Sequence, residues 1–385
     1  MSRFFDELKD FWKKGDIFLL VLCLIVSGFG CVFIASATSA DKFGGNIKYI
    51  IIQLAATGLG VMMYALVSSI DLDFLSEHRM VMVAFNCALL LMLISPLGTD
   101  HGSGNRSWIN LGFISVQPAE VCKITYIIIL AKTMSLNRNR ISSLRSVGTL
   151  TFHMLWIVAL IVVISHDTGV ALIFMFLFVV MAYVGGVSGW WFLGGAGAVA
   201  AVSPYLWKYF IRDDQKQRIL ALIDPSIDPD GLGVLWQTNK SLEALRNGGL
   251  TGQGLFHGDL TSIGYLPAQH TDSIFSSIGE QLGMLGCLAA LLLLLAIVLR
   301  CIQVGMKSPD YMNRLICIGI ASMLLFQILI NVGVCLGLFP VVGLALPFLS
   351  YGGSSILTSF LAMGIVSGIK MRPAPDMSAH YIRPY

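Results

Sequence analysis

The chain has 385 residues, of which 56% are hydrophobic and 12% charged, and its formal net charge is +3. A soluble domain carries about twice that share of charge, and so small a positive excess does not suggest nucleic-acid binding. What remains is an all-α polytopic membrane protein, because apolar runs of about 20 residues recur along the whole length.

Near the N-terminus, Arg3, Lys9, Lys13 and Lys14 precede an apolar run, and Ala35-Ser36-Ala37 imitates a signal-peptide cleavage site. That run is longer than a signal-peptide core and many spans follow, so it reads as a retained first helix. About ten transmembrane helices are predicted. They cover 17–36, 47–67, 80–94, 118–134, 147–164, 169–183, 190–209, 274–299, 315–336 and 355–369. We read residues 1–385 as a single integral membrane domain, with 210–272 as a large extracytoplasmic loop between helices 7 and 8. The eight cysteines fall in or at the ends of apolar runs and read as small packing residues, with no disulfide or zinc pattern.

Lysine and arginine in the short loops orient the spans. One side gathers Arg3, Lys9, Lys13, Lys14, Arg79, Lys132, Arg138, Arg140, Arg145, Arg300, Lys307, Arg314, Lys370 and Arg372; the other has Lys42, Lys48 and Arg106. The first side reads as cytoplasmic, which puts both termini inside and 98–117, His166-Asp167, 212–271 and 337–354 outside. The long outer segment has helical spacing at Ile219, Leu222 and Ile223, then turn signals at Asp224-Pro225 and Asp228-Pro229-Asp230-Gly231. A short helix is predicted to end at Gly248-Gly249. We expect an ordered cap on the outer membrane face.

Several motifs carry both a chemical and a plain reading. Trp108, in an outer loop, is an interfacial anchor or a stacking platform for a sugar. Glu120 and Lys123 share a helix face, either as an internal ion pair or as a polar patch on a cavity. Asp167 caps the sixth span, contributes to an outer-face site, or does both. Gly248 to Gly254 supplies turns, or amides for a pyrophosphate; no strand precedes it and no Gly-Lys-Ser/Thr ends it, which argues against a nucleotide loop. Backbone broken between Asn331 and Ser354 must be buried or line a cavity.

Asp272 stands where the long polar segment meets the eighth span. It reads as a helix N-cap with Phe275 at the third helical position, as a reactive carboxylate, or as both.

Together these elements resemble the shape, elongation, division and sporulation family, SEDS, and are of RodA-like type. The closing pattern is Asn331, Gly333, Pro340, Gly343, Pro347, Phe348, Ser350, Gly352, Gly353 and Ser354. Arg218-Ile219, Asp224-Pro225, Ser241, Gly248 to Gly254, Leu266 to Asp272, Gln117 to Lys123 and Asp167 to Gly169 complete it in the right order. The chain departs from the pattern at Ala268, Ser273 and Val342, and in the separation of Lys48 from Gln53.

The resemblance implies a peptidoglycan glycosyltransferase that polymerises lipid II at the outer face of the bacterial plasma membrane. Asp272 is its expected general base. Trp108, Glu120, Lys123, Asp167, Arg218, Ser241, His270 and Ser350 are its expected substrate-binding residues. Leaving undecaprenyl pyrophosphate needs cations or amides, which Lys123, Arg212, Lys216, Arg218 or the Gly248–Gly254 loop could offer. No cofactor is required; a divalent cation, Mg2+ or Mn2+, is compatible with the site. Implied partners are a class B penicillin-binding protein, a transpeptidase, and other elongation or division proteins, without nucleic acid. The transpeptidase contact is expected on the outer surface of spans eight and nine, where Gly283, Gly286, Ala289, Ala290, Gly319 and Ala321 permit close approach; the plain alternative is that these residues pack within the bundle. Two other functional classes fit a polytopic chain: a lipid II flippase, which lacks a visible inverted repeat, and a non-catalytic scaffold.

Overall fold

The computed structural model describes residues 13–39, 47–100, 105–110, 112, 115–209 and 211–372. Arg3, Lys9 and Lys42, which contribute to the expected orientation, lie outside the described residues, as does Gly104 before Trp108.

All ten predicted spans are helices. The first four are α1 (Ile17–Ala37), α2 (Lys48–Ser68), a short α3 (Leu72–Glu77) that precedes the third span, and α4 (Arg79–Leu91), which tightens into a 3-10 turn over Met92–Ile94. Three short antiparallel strands follow: β1 (Gly98–Thr99), β2 (Trp108–Asn110) and β3 (Ser115–Val116), in that order across the sheet. They modify the all-α expectation locally. Ile109 turns inward while Trp108 and Asn110 point outward, the two-residue period of a half-buried strand.

Then come α5 (Pro118–Leu136), with proline in its first turn, α6 (Leu144–Leu160), α7 (Thr168–Val184) and α8 (Gly189–Tyr209). The polar segment folds as α9 (Asp213–Ile223), α10 (Trp236–Gly248) and α11 (Asp259–Ser262). Three long helices close the chain: α12 (Ile274–Lys307), α13 (Tyr311–Cys335) and α14 (Gly353–Met371). Among the described residues, six helices are long and apolar enough to cross a membrane, and two shorter apolar ones accompany them. The chain is a multi-pass membrane protein.

Its centre is α13 and α14, both largely enclosed, whereas α6 and α8 expose most of their apolar side chains at the periphery. Between lipid and core there is no difference in polarity to drive association, so close packing and polar contacts must hold the bundle. Gly364 and Gly368, one turn apart on α14, press on α2. A Cβ at either would come within 2.7 Å of a carbonyl, Tyr64 O or Ser68 O. At one end Asp16, fully buried, pairs with Arg300 of α12 at 2.8 Å and with Lys370 of α14 at 3.2 Å. Its amide and carbonyl also bind Ser367 and Tyr64. One carboxylate thus ties the start of α1 to the ends of α12 and α14.

The outer surface expected to hold a partner is only half there. Ala289 and its neighbours Leu285, Leu288 and Leu292 on α12 are exposed, but Gly283, Gly286, Ala290, Gly319 and Ala321 are buried in the bundle. Span nine is interior. An apolar helix reads the same whether lipid or protein surrounds it, so its pattern carries no direction.

Candidate active site

Asp272 ends a tight turn whose first residue, Ala268, has φ of 47°. The Ala268 carbonyl accepts from the amides of Thr271 and Ser273 at 3.0 and 3.1 Å. Ser273, not Asp272, is the N-cap of α12, and no side chain caps it. The capping reading of Asp272 is therefore overturned: its carboxylate points away from the helix amides. No described residue donates a hydrogen bond to that carboxylate, and its oxygens keep some access to solvent.

The turn is held from three sides. Asn331 of α13 donates to the Asp272 main-chain carbonyl at 2.9 Å and to Leu344 O at 2.8 Å. The Ser350 hydroxyl donates to Thr271 O at 2.7 Å and accepts the Leu346 amide at 2.9 Å. The Tyr351 amide donates to His270 O at 2.8 Å. Gln53, fully buried in α2, grips the same segment from behind: its Nε2 donates to Ser350 O at 3.2 Å and its Oε1 accepts the Gly352 amide at 3.2 Å. The broken stretch before α14 is thus a cradle for the Asp272 turn, not a loose loop.

Opposite Asp272 stands Asp167. It follows a π turn over Ile161–Ser165 and His166, whose φ is 54°. Asp167 caps α7 by accepting the Val170 amide at 3.0 Å, and its other oxygen accepts from Ser107 at 3.1 Å, beside Trp108. Gly169, two residues on, is forced by proximity: a Cβ there would lie 2.5 Å from Val342 O. Across the cradle, Gly343 has φ of 68°, and a Cβ would meet Asp272 Oδ2 at 3.8 Å. That distance is ordinary contact, so it is the left-handed backbone that calls for glycine at 343.

Glu120 and Lys123 of α5 form the expected ion pair, Nζ to Oε1 at 2.7 Å, with Lys123 1% and Glu120 12% exposed. Thr358 of α14 donates to the free oxygen of Glu120 at 3.1 Å. Arg218 reaches in from α9 to donate to Val341 O at 3.1 Å, one residue from the Gly169 contact. Burial raises the Asp167 carboxyl; its hydrogen bonds and Lys123 oppose that shift without cancelling it. Burial, reinforced by the charge of Asp167, pushes the Asp272 carboxyl up to about 6. A carboxylate with that affinity for protons is ionised at neutral pH yet far more basic than an ordinary aspartate.

Several expected site residues lie near one another: Asp167 is within electrostatic range of Asp272 and of the Glu120–Lys123 pair, Ser107 beside Trp108 bonds Asp167, and Arg218 bonds Val341 next to the Gly169 contact. Ser241 and Ser350 instead bond the Asp272 turn, and His270 is part of that turn. Ser241 is buried with its hydroxyl 3.4 Å from that of Ser273, beneath the turn. Ser350 is spent on backbone. The His270 ring packs with Tyr49 and Tyr351, centroids 5.2 and 5.7 Å away, and burial lowers its basicity. Sequence reasoning did not single out Tyr49, Tyr351 or Thr358, which meet the site only through distant chain segments. Among the described residues, no group of three or more His, Cys, Asp or Glu side chains lies close enough to hold a metal ion.

The glycine-rich loop has a different task from the one its amides invite. The Gly252, Gln253 and Gly254 amides donate to Gly248 O, Glu280 O and Gln281 O at 2.8 to 3.0 Å. The α12 helix breaks at Gly283 (φ 66°), and the Met284 amide returns to Gly249 O at 2.9 Å. The loop fills a break in the helix, so these amides are not available to a pyrophosphate.

A family model for cell cycle proteins, FtsW, RodA and SpoVE, matches residues 16–374. The chain belongs to the FtsW/RodA/SpoVE family. Stage V sporulation protein E of Bacillus subtilis is 33% identical over 360 residues, covering 92% of this chain and 96% of the relative. Peptidoglycan glycosyltransferase MrdB of Escherichia coli is 30% identical over 365 residues, covering 94% and 95%. Among solved structures, a chain from work on structural coordination of polymerization and crosslinking by a peptidoglycan synthase complex superposes with a TM-score of 0.77. It is 27% identical and covers 92% of this chain and 97% of its own length. The family's members differ in role, and the cradle just described is where the family pattern Asn331 to Ser354 resides in this chain.

Proposed function

We infer that this FtsW/RodA/SpoVE member is a peptidoglycan glycosyltransferase and that lipid II is both its donor and its acceptor. Asp272 takes the proton from the acceptor 4-hydroxyl. The oxygen attacks the anomeric carbon of the donor sugar, the bond to pyrophosphate breaks, and undecaprenyl pyrophosphate leaves with the bonding pair. One base and no covalent intermediate suit a single displacement with inversion. The observation that carries this reading is the Asp272 carboxylate itself: unpaired, accessible, raised to about 6 and held by backbone contacts alone. A side chain fixed through its main chain is free to use its oxygens on a substrate.

Lys123, paired with Glu120, and Arg218 are the cations that would face the pyrophosphate. Trp108 offers a ring for a sugar. The basic end bearing Arg300 and Lys370 lies in the cytoplasm and Asp272 outside, in a bacterial plasma membrane. On this reading both termini are inside, and 210–272 is the outer loop of a single integral membrane domain. A crosslinking partner, a class B penicillin-binding protein, would pack on the exposed face of α12 around Ala289, and other elongation or division proteins would join the complex.

Purified protein with labelled lipid II separates the classes. Glycan ladders establish a polymerase, translocation without ladders a flippase, and neither a scaffold.

A further inference from the structure

At the opposite end of the bundle from Asp272, the end of α12, the start of α13 and the end of α14 enclose a pocket of about 310 Å³. Four cations line it, Arg300, Lys307, Lys370 and Arg372, with one carboxylate, Asp310. That carboxylate is already engaged, since Asp310 caps α13 by accepting the Asn313 amide at 2.8 Å. Asp16, one carboxylate for two cations, pairs with Arg300 and Lys370 from outside the lining. Arg372 donates to Ile70 O, and Lys307 is exposed, with no ion pair among the described residues.

Topology alone asks for cations at this end of a membrane protein. It does not ask two separate segments, the end of α12 and the end of α14, to aim them into one concavity, where like charges repel unless an anion joins them. The pocket also continues the lipid-facing stripe of α12: Leu299, Ile302 and Met306 are exposed beside it, and Val304 and Ile369 give it an apolar wall. Arginine forks and lysine ammonium groups together match the oxygens of a phosphoryl group.

We propose that this pocket binds an anionic phosphoryl group, such as the head group of an anionic phospholipid or free phosphate. An occupant would brace the far ends of α12, α13 and α14, whose near ends carry the Asp272 turn, Asn331 and the Ser350 cradle.

Native mass spectrometry of the full chain, released from detergent with equal amounts of phosphatidylglycerol and phosphatidylcholine, tests this. The parent should retain phosphatidylglycerol preferentially. Reversing two charges, Lys307→Glu with Arg372→Glu, should cut that retention by about tenfold or more. Lys307→Ala, at an exposed and unpaired position, should weaken it in the same direction without disturbing the fold. Inorganic phosphate that displaces the lipid and raises the melting temperature marks a site for phosphate itself; retention unchanged by phosphate marks a head-group site. Equal retention of both lipids with no thermal response to phosphate overturns the proposal, as does undiminished retention by both variants.

Discussion

The side-chain amide of Asn331 bridges two backbones: it donates to the Asp272 carbonyl at 2.9 Å and to the Leu344 carbonyl at 2.8 Å. The turn bearing the proposed base and the cradle in front of it therefore share one clamp, buried 59 residues away along the chain. Neither carbonyl has a helix to satisfy it. Asn331→Leu removes both donors: Leu344 O loses its amide partner and Asp272 O keeps only the weak Cys335 Sγ donor at 3.6 Å, and a buried acceptor left unmade costs on the order of 1–3 kcal/mol. Glycan polymerisation should fall by tenfold or more, roughly what a misplacement of about 1 Å does to a reacting group, while the pH at half-maximal rate stays put. A variant with unchanged thermal stability and rate would show that the clamp is idle.

Glu120 and Lys123 should behave as a unit. With Lys123 1% exposed, removal of Glu120 strands a cation in the bundle, at a cost of about 3–5 kcal/mol for a buried pair. Glu120→Gln and Lys123→Met should each destabilise the protein more than the double variant does. A double-mutant cycle in melting temperature that closes without coupling would place the two charges in separate, solvated environments.

Much of this was readable in advance, and the part that was not has physical causes. The ten spans follow from apolar length, and Asp167, Asp272 and the Glu120–Lys123 pair follow from charge at a membrane boundary. The helix break at Gly283 has no local signature inside the predicted eighth span, because the loop that fills it comes from Gly249 to Gly254, thirty-odd residues upstream. The grip of Gln53 on Ser350 and Gly352 spans nearly 300 residues and has no local signature. Asn331 stood in the family pattern, but its two carbonyl partners are set by tertiary approach alone. Burial of span nine was illegible because lipid and protein interior select the same residues.

That last point yields a paired test. Ala321 is buried, so Ala321→Phe should overpack α13 and lower stability by about 1–3 kcal/mol with or without a partner. Ala289 is exposed on α12, so Ala289→Trp should leave the melting temperature unchanged and reduce co-purification of a transpeptidase. Co-purification insensitive to Ala289→Trp would move the partner to another face of the bundle.

The Asp272 carboxyl makes stability depend on pH with a definite sign. Its proton affinity in the folded chain corresponds to about 6, above the ordinary aspartate value, because burial and Asp167 disfavour the charge. The unfolded chain gives up this proton first. Stability from this group is therefore full in acid, below the ordinary aspartate range, and is lost as pH rises to about 6. Asp272→Asn should remove that loss and be the more stable protein at pH 7.5, by on the order of 1–3 kcal/mol. Comparing the two melting temperatures at pH 5 and pH 7.5 checks it; a parent more stable than the variant at pH 7.5 would mean that the carboxylate is satisfied rather than strained.

The central claim is that Asp272 takes the acceptor proton, and the pH dependence of lipid II polymerisation under single-turnover conditions addresses it most directly. The parent rate should rise with pH through about 6 and level off above it, as a base with that affinity ionises. Folded Asp272→Asn, measured over the same range, should be at least about a hundredfold slower and show no such rise. If that variant polymerises at a near-parental rate, or keeps the rise near pH 6, the proton goes elsewhere and the assignment of Asp272 is wrong.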